Sequence, residues 1–184
     1  MGWEDLFADL AGEFEAAEAA EAAAEIEDRT RRELARVRLV DRLRAATGIP
    51  LELSTTQLGP LRGILADVGK DWLLLHERSG RQALVPFAAI TGVVGLTDRA
   101  DEPATESPVA ARLSLGYALR ALARSRARVA MTLGDGATRT GTLNQVGADH
   151  LVLVEHELGE VPVPGAIRQV SVVPFDALVA VRSR

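Results

Sequence analysis

The sequence has no cysteine, few aromatic residues and only one lysine, Lys70, among its 21 basic residues. The lack of cysteine excludes disulfide bonds, thiol catalysis and thiolate metal sites, and it fits a reducing compartment. The sequence has no run of about 18 apolar residues that could form a membrane-spanning helix. The acidic first residues differ from the basic start of a signal peptide. We therefore expect a cytoplasmic protein with no membrane attachment.

The composition indicates a folded chain with a small net charge. Hydrophobic residues make up 47% and charged residues 26% of the 184 positions, which argues against global disorder. The formal net charge of −5 gives no overall attraction to nucleic acid or to anionic membranes. Abundant alanine with almost no lysine is typical of a GC-rich genome, such as those of actinobacteria.

The charges are strongly segregated at the start of the chain. Residues 1–28 contain ten acidic and no basic residues, whereas residues 29–48 contain seven arginines and two acidic residues. Residues 4–46 are rich in alanine, glutamate, arginine and leucine, which predicts a helix with Gly12 as a potential break and Gly48 as its end. Acidic residues early in a helix and arginines late in it also complement the helix dipole.

An internal repeat dominates the rest of the sequence. Residues 63–77 align with residues 141–155 without a gap, and eight of the fifteen positions are identical. Residues 85–90 align with residues 173–178 in the same way, and the second copy has ten extra residues around positions 156–169. Each copy predicts about five short strands that follow a helix.

The repeated residues are those that tightly bent strands need. Gly63 and Gly141 lie inside strand-like segments, where a glycine indicates a sharp bend or a close approach of two backbones. The repeated Val-Gly-x-Asp pattern predicts a tight turn in which Asp71 and Asp149 cap backbone donors. Alternating leucines follow each turn, as a half-buried strand requires.

The pattern Gly-x-Leu-x-x-Val-Gly-x-Asp-x-Leu-x-Leu, placed after a helix and a first strand, resembles the first motif of the Sm-like barrels. The resemblance covers about residues 49–96 and 127–182. It implies an α+β fold with two tandem five-stranded Sm-like or SH3-like β-barrels, each preceded by a helix. The second Sm motif is replaced by Val-Pro-Phe sequences at residues 85–90 and 173–178, so the resemblance does not extend to the RNA pocket of that family.

The resemblance, the charge pattern and a proline-containing acidic stretch together divide the chain into four predicted segments. Ser107 and Pro108 have the residue types of a helix start, which places the second helix over residues 108–126. The segments are an acidic amphipathic N-terminal helix at 1–28, a helix with the first barrel at 29–97, a linker at 98–109, and a helix with the second barrel at 110–184.

The first fourteen residues contain a candidate site for a protein partner. Four large apolar residues at helical spacing lie among acidic residues, which is the anchor pattern of a helix that enters a groove on another protein. The alternative is that this face packs on the chain's own barrels or on a second copy. The four residues are Trp3, Phe7, Leu10 and Phe14.

The arginines of the two helices are the one feature of the sequence that favours nucleic acid. If both helices packed side by side, the arginines could neutralise several phosphates. Two observations argue against this. The acidic N-terminus could occupy the same arginine surface, and aromatic residues for base stacking are not interleaved with the arginines. The candidate residues are Arg31, Arg32, Arg36, Arg38, Arg42, Arg120, Arg124, Arg126 and Arg128.

The sequence offers no catalytic constellation. His76, His150 and His156 lack metal-ligand spacing, and there is neither a nucleophile elbow nor a phosphate-binding loop. We therefore expect a non-enzymatic binding or adaptor protein with no catalytic residue, cofactor or metal, which binds a protein partner and could form homo-oligomers through barrel edge strands. The alternatives are an RNA- or DNA-binding regulator that uses the arginine-rich helices, and a small-molecule-binding domain closed by the insertion near residues 156–169.

Overall fold

A computed structural model describes residues 2–100, 113–156 and 169–183, without the side chains of residues 4–11, 13, 15–17, 19 and 20. The chain divides into two compact units, residues 1–38 and residues 39–184. The predicted helix start at Ser107 and Pro108, most of the predicted linker and most of the insertion near residues 156–169 lie outside the described residues.

The first unit is built on helix α1, which spans Trp3–Leu34. The helix continues through Gly12, so the predicted break there is wrong; one interior glycine costs about 1 kcal/mol, which a helix of this length tolerates. Over its whole length α1 has little amphipathic character. Among the described helices, none is long and apolar enough to cross a membrane.

The second unit contains helices α2 (Leu39–Ala45) and α3 (Leu115–Arg124) and a single ten-stranded sheet. The predicted helix over residues 4–46 is therefore two helices, because the backbone turns at residues 35–36. Short 3-10 turns lie at Phe87–Ala89 and Phe175–Ala177, each immediately before a strand. The strands are β1 (Pro50–Thr55), β2 (Leu61–Val68), β3 (Trp72–Glu77), β4 (Gln82–Pro86), β5 (Ile90–Val94), β6 (Arg128–Leu133), β7 (Thr138–Val146), β8 (His150–Glu155), β9 (Gln169–Pro174) and β10 (Leu178–Ser183).

The predicted fold of two closed five-stranded barrels is wrong. The strands follow the order β5-β1-β2-β3-β4-β10-β6-β7-β8-β9 in one open antiparallel sheet. Strand β4 joins β10 with Leu84 opposite Val181 and Ala83 opposite Arg182, so hydrogen bonds continue from the first set of strands into the second. The prediction that the internal repeat builds two separate Sm-like or SH3-like units is wrong for the same reason.

Packing explains why the sheet is continuous. Trp72 and Leu84, from β3 and β4, are buried in the same cluster as Met131 and Val181, from β6 and β10. Since each buried side chain of this size contributes roughly 1.5–3 kcal/mol, splitting the sheet between β4 and β10 would expose a shared core. The second cluster likewise includes Ala180 of β10 beside the side chains of β1 to β4.

The helices close the two clusters, and the strands supply them with alternate side chains. Leu43 of α2 and Leu119 of α3 are fully buried, each in a different cluster. The predicted alternation of leucines is confirmed, because Leu151 and Leu153 of β8 are buried whereas Val152 between them is only partly buried.

The predicted close approach at the repeated glycines is also confirmed. A Cβ atom on Gly63 would lie 2.6 Å from the carbonyl oxygen of His76 on β3. A Cβ atom on Gly141 would overlap the carbonyl oxygen of Val154 on β8. At both positions the neighbouring strand leaves no room for a side chain, so β2 and β7 need glycine there.

Candidate binding surfaces

An apolar groove lies at the β5 end of the sheet and has a volume of about 640 Å³. We call it the β5 groove. Ile64 and Val94 are large hydrophobic residues of its lining and are exposed, with 50% and 62% of their surface accessible. Large apolar side chains with this exposure leave a surface that favours an apolar partner. The groove is lined by Pro50, Leu51, Glu52, Arg62, Gly63, Ile64, His76, Glu77, Arg78, Val94 and Gly95.

Three charged residues in the lining of the β5 groove form ion pairs, either with one another or with strand β10. Arg62 Nε lies 2.6 Å from Glu52 Oε2, across the β1–β2 pair. Glu77 Oε1 accepts a hydrogen bond of 3.0 Å from Arg182 Nε on β10. Since these three charges are compensated by ion pairs, most of the lining surface is left to contact an apolar side chain.

The groove adjoins one of the two outer strands of the sheet. Strand β5 pairs with β1 through Glu52 opposite Val94 and Leu53 opposite Val93, and no strand of the described chain covers its other edge. Val94 therefore belongs both to this edge and to the groove. An uncovered strand edge offers backbone donors and acceptors to an added strand.

Strand β9 is the outer strand at the opposite end of the sheet. It pairs with β8, and its outer edge has no partner strand within the described residues. Val170 and Val172 are 57% and 65% exposed on this strand. The two ends of the sheet therefore share exposed valines, and the β5 groove lies at the β5 end.

A basic depression of about 460 Å³ lies where the C-terminal end of α3 meets β7. We call it the α3 basic site. Three arginines and two amide side chains line it, with no carboxylate among its lining residues. Arg120 is fixed there by a hydrogen bond of 2.9 Å from its Nη2 to the carbonyl oxygen of Gly147. The lining residues are Arg120, Ala123, Arg124, Arg126, Asn144, Gln145 and Val146.

An aromatic ring lies next to this depression. The guanidinium carbon of Arg124 is 5.9 Å from the ring centroid of Tyr117, which lies two helical turns earlier on α3. Tyr117 is 48% exposed. This distance is within the range of a cation–π contact, so the arginine and the ring hold each other in place.

The structure brings together three of the predicted nucleic-acid residues, Arg120, Arg124 and Arg126. Arg42 lies on α2 and donates instead to the carbonyl oxygen of Thr97 at 2.8 Å. Arg128 begins β6 and is not part of the lining.

The remaining predicted arginines belong to the first unit. Arg31 pairs with Glu27 at 3.0 Å, and Arg32 donates to the carbonyl oxygen of Asp28. Arg36 and Arg38 follow the end of α1. Arg31 and Arg32 therefore use their donors within their own helix.

The predicted protein-docking residues also lie in the first unit. Trp3 and Phe14 are 76% and 65% exposed on α1. The side chains of Phe7 and Leu10 lie outside the described residues. The two described members of the set are thus available at the surface of this helix.

The histidines have local partners. His150 lies 2.8 Å from Asp149 through its Nδ1, and this hydrogen bond lowers the pKa of the Asp149 carboxyl. His156 is buried, with its Nε2 2.8 Å from the hydroxyl of Thr142. In the described ranges no three His, Cys, Asp or Glu side chains are arranged to hold a metal ion.

A small polar network lies on β7, β8 and β9. The hydroxyl of Ser171 donates to Glu155, and Arg139 Nη1 lies 2.7 Å from the same carboxylate oxygen. The hydrogen bond from Ser171, assisted by Arg139, lowers the pKa of Glu155. A carboxylate held ionised by two donors is a structural ion pair rather than a general acid.

Sequence reasoning missed two of these features. The β5 groove depends on the pairing of β5 with β1, and no local pattern marks that pairing. The sequence did contain a signal for the contact between Tyr117 and Arg124, since residues seven apart lie on one face of a helix.

Comparison with protein-family models and with curated proteins finds no match for this chain.

Proposed function

We propose that the protein is a non-enzymatic binding or adaptor protein that holds a segment of a protein partner at the β5 end of its sheet. The observation that carries this proposal is the position of Val94, which lies in an apolar groove and on a strand edge that no strand of the described residues covers. An extended peptide beside β5 can bond to its backbone and place an apolar side chain in the groove. Backbone bonds then supply affinity, and the groove supplies selectivity.

Helix α1 supports the same function as a second docking element. Its exposed Trp3 and Phe14 are large aromatic residues of the kind that anchor protein interfaces. Residues 1–28 of the chain contain ten acidic and no basic residues, which favours encounter with a basic partner surface. The absence of cysteine supports a cytoplasmic site of action, because that compartment is reducing.

The test is an affinity pull-down from nuclease-treated cell extract with purified variants of the full chain. Val94→Glu and Ile64→Glu place a carboxylate at the β5 groove, and Val172→Glu is the matched control because that valine is equally exposed on the opposite edge strand. We expect the first two variants to lose specific partners that the control retains. Deletion of residues 1–28 in a fourth sample separates the contribution of α1.

Photo-crosslinking identifies the contact directly. A crosslinking residue at position 94 should label the same partner that Val94→Glu loses, and one at position 172 should not. The proposal is wrong if Val94→Glu and Ile64→Glu retain every partner, or if the control loses the same set.

A further inference from the structure

The three arginines of the α3 basic site differ from three arginines of the strands in how their charge is compensated. Arg62, Arg139 and Arg182 each form an ion pair with a glutamate. In the part of the chain that the structure describes, no carboxylate pairs with Arg120, Arg124 or Arg126. Three cations around one depression repel one another, and an anion placed between them removes that repulsion.

The neutral residues of the site suit an anion that also carries hydrogen-bonding groups. Asn144 and Gln145 are exposed on β7 beside the arginines, and their amides both donate and accept hydrogen bonds. Arginine guanidinium groups bind phosphate oxygens through paired donors. The depression is shallow and open along the surface, so a chain of phosphates fits it better than one enclosed ion.

Tyr117 distinguishes the site from a basic patch that binds any polyanion. Its ring is half exposed, and Arg124 links it to the basic depression. Proteins that bind single strands combine a basic groove for the backbone with an aromatic ring on which a base stacks. We propose that the α3 basic site binds a single-stranded nucleic acid, with the arginines on its phosphates and Tyr117 against a base.

The experiment is fluorescence anisotropy of the purified full chain with labelled single strands of about 12 nucleotides, one of DNA and one of RNA. If the three arginines neutralise three phosphates, a plot of the logarithm of the affinity against the logarithm of the salt concentration should have a slope of about −2. The affinity should then fall by roughly 20-fold between about 50 and about 200 mM salt. Arg124→Gln with Arg126→Gln should reduce the slope by about 1.4 and weaken binding at least tenfold. Arg81→Gln, which removes one exposed arginine from the β3–β4 turn, is the control outside the site and should bind as the unaltered chain does.

The ring is tested separately from the charge. Tyr117→Ala should weaken binding by about tenfold, whereas Tyr117→Phe should retain it, because stacking needs the ring and not the hydroxyl. Inorganic polyphosphate is the competitor that carries phosphates without bases. These variants change exposed side chains, and a matching thermal melt shows that each one is folded.

Three results would overturn the proposal. The first is no binding at about 50 mM salt. The second is equal weakening by the Arg81→Gln control. The third is a combination of two observations: polyphosphate displaces the labelled strand as readily as an unlabelled nucleic acid does, and Tyr117→Ala leaves binding unchanged. That combination describes a surface that binds any polyanion. Because the experiment uses purified components, its failure leaves the protein-binding function at the β5 groove untouched.

Discussion

Asp71, in the turn between β2 and β3, accepts a hydrogen bond of 2.6 Å from the backbone N–H of Leu115, the first residue of α3. Ser114, which precedes the helix, makes no capping hydrogen bond with its side chain. The helix is therefore capped by a carboxylate 44 residues earlier in the chain. This contact fixes the start of α3, and with it the helix that carries Tyr117 and Arg124.

Removing that cap should destabilise the second unit. Replacement of a capping aspartate by alanine costs about 1 kcal/mol, because an orphan N–H loses its acceptor and the helix dipole loses a favourable charge. We expect Asp71→Ala to lower the free energy of unfolding by about this amount in urea denaturation. Asp176→Ala, an exposed aspartate with no side-chain hydrogen bond in the described structure, should change it by less than about 0.5 kcal/mol. Equal effects of the two substitutions would contradict the capping role.

Two glycines in corresponding turns should respond differently to alanine. A Cβ atom on Gly69 would overlap the indole nitrogen of Trp72, which is buried and donates to the carbonyl oxygen of Leu113 at 2.9 Å. A Cβ atom on Gly147 would meet the ring of His150 at 2.5 Å, but that side chain is 44% exposed and can rotate away.

Gly69→Ala should therefore cost about 1–3 kcal/mol and Gly147→Ala less than about 1 kcal/mol. Denaturant unfolding gives both values, and indole fluorescence reports whether Trp72 has moved. A larger cost at Gly147 than at Gly69 would show that the histidine side of the sheet is the more rigid one.

Local patterns gave correct predictions where chemistry and geometry are decided within one strand or one hairpin. Gly63 and Gly141 are required because a neighbouring carbonyl occupies the position of a Cβ atom. The alternating leucines face the core because a strand has a period of two. Gly12 shows the limit of such reasoning, since one unfavourable residue does not end a helix whose neighbours favour it.

The sheet was mispredicted because its decisive contact is long-range. Leu84 and Val181 lie opposite each other although almost a hundred residues separate them in sequence. Nothing in the sequence around either residue shows which strand it will pair with. The same local pattern is therefore compatible with five strands that close into a barrel and with five strands that continue into a second set of five. The β5 groove was missed for the same reason, as it is formed by strands that meet only through that topology.

The second unit should fold without α1. Each hydrophobic residue that the structure describes as buried lies at Leu43 or later. We expect deletion of residues 1–34 to leave a chain with a cooperative thermal transition and the strand signal of the sheet in circular dichroism. Deletion to residue 48 is the control, because it also removes Leu43 and Ala46 of the core and should lower the stability by several kcal/mol. Loss of cooperative unfolding in the shorter deletion would contradict the division of the chain into two units.

The polar network around Glu155 predicts a pH dependence of stability. The Ser171 hydroxyl, and after it Arg139, hold the pKa of Glu155 below its ordinary value. The pKa is depressed in the folded state, so the network stabilises the fold above the ordinary pKa, and its contribution is lost as the pH falls through the lowered value. We expect Ser171→Ala to cost about 1 kcal/mol at about pH 7 and progressively less as the pH falls through the lowered pKa of Glu155, below which the carboxyl is protonated in both states.

Denaturant unfolding of both proteins at several pH values measures this difference. Ser54→Ala, which removes an exposed hydroxyl on β1, is the control and should show a small effect that does not change with pH. If the cost of Ser171→Ala stays constant across the acid range, the serine does not act through the charge of Glu155. A cost that vanishes in acid identifies the ionised carboxylate of Glu155 as its partner.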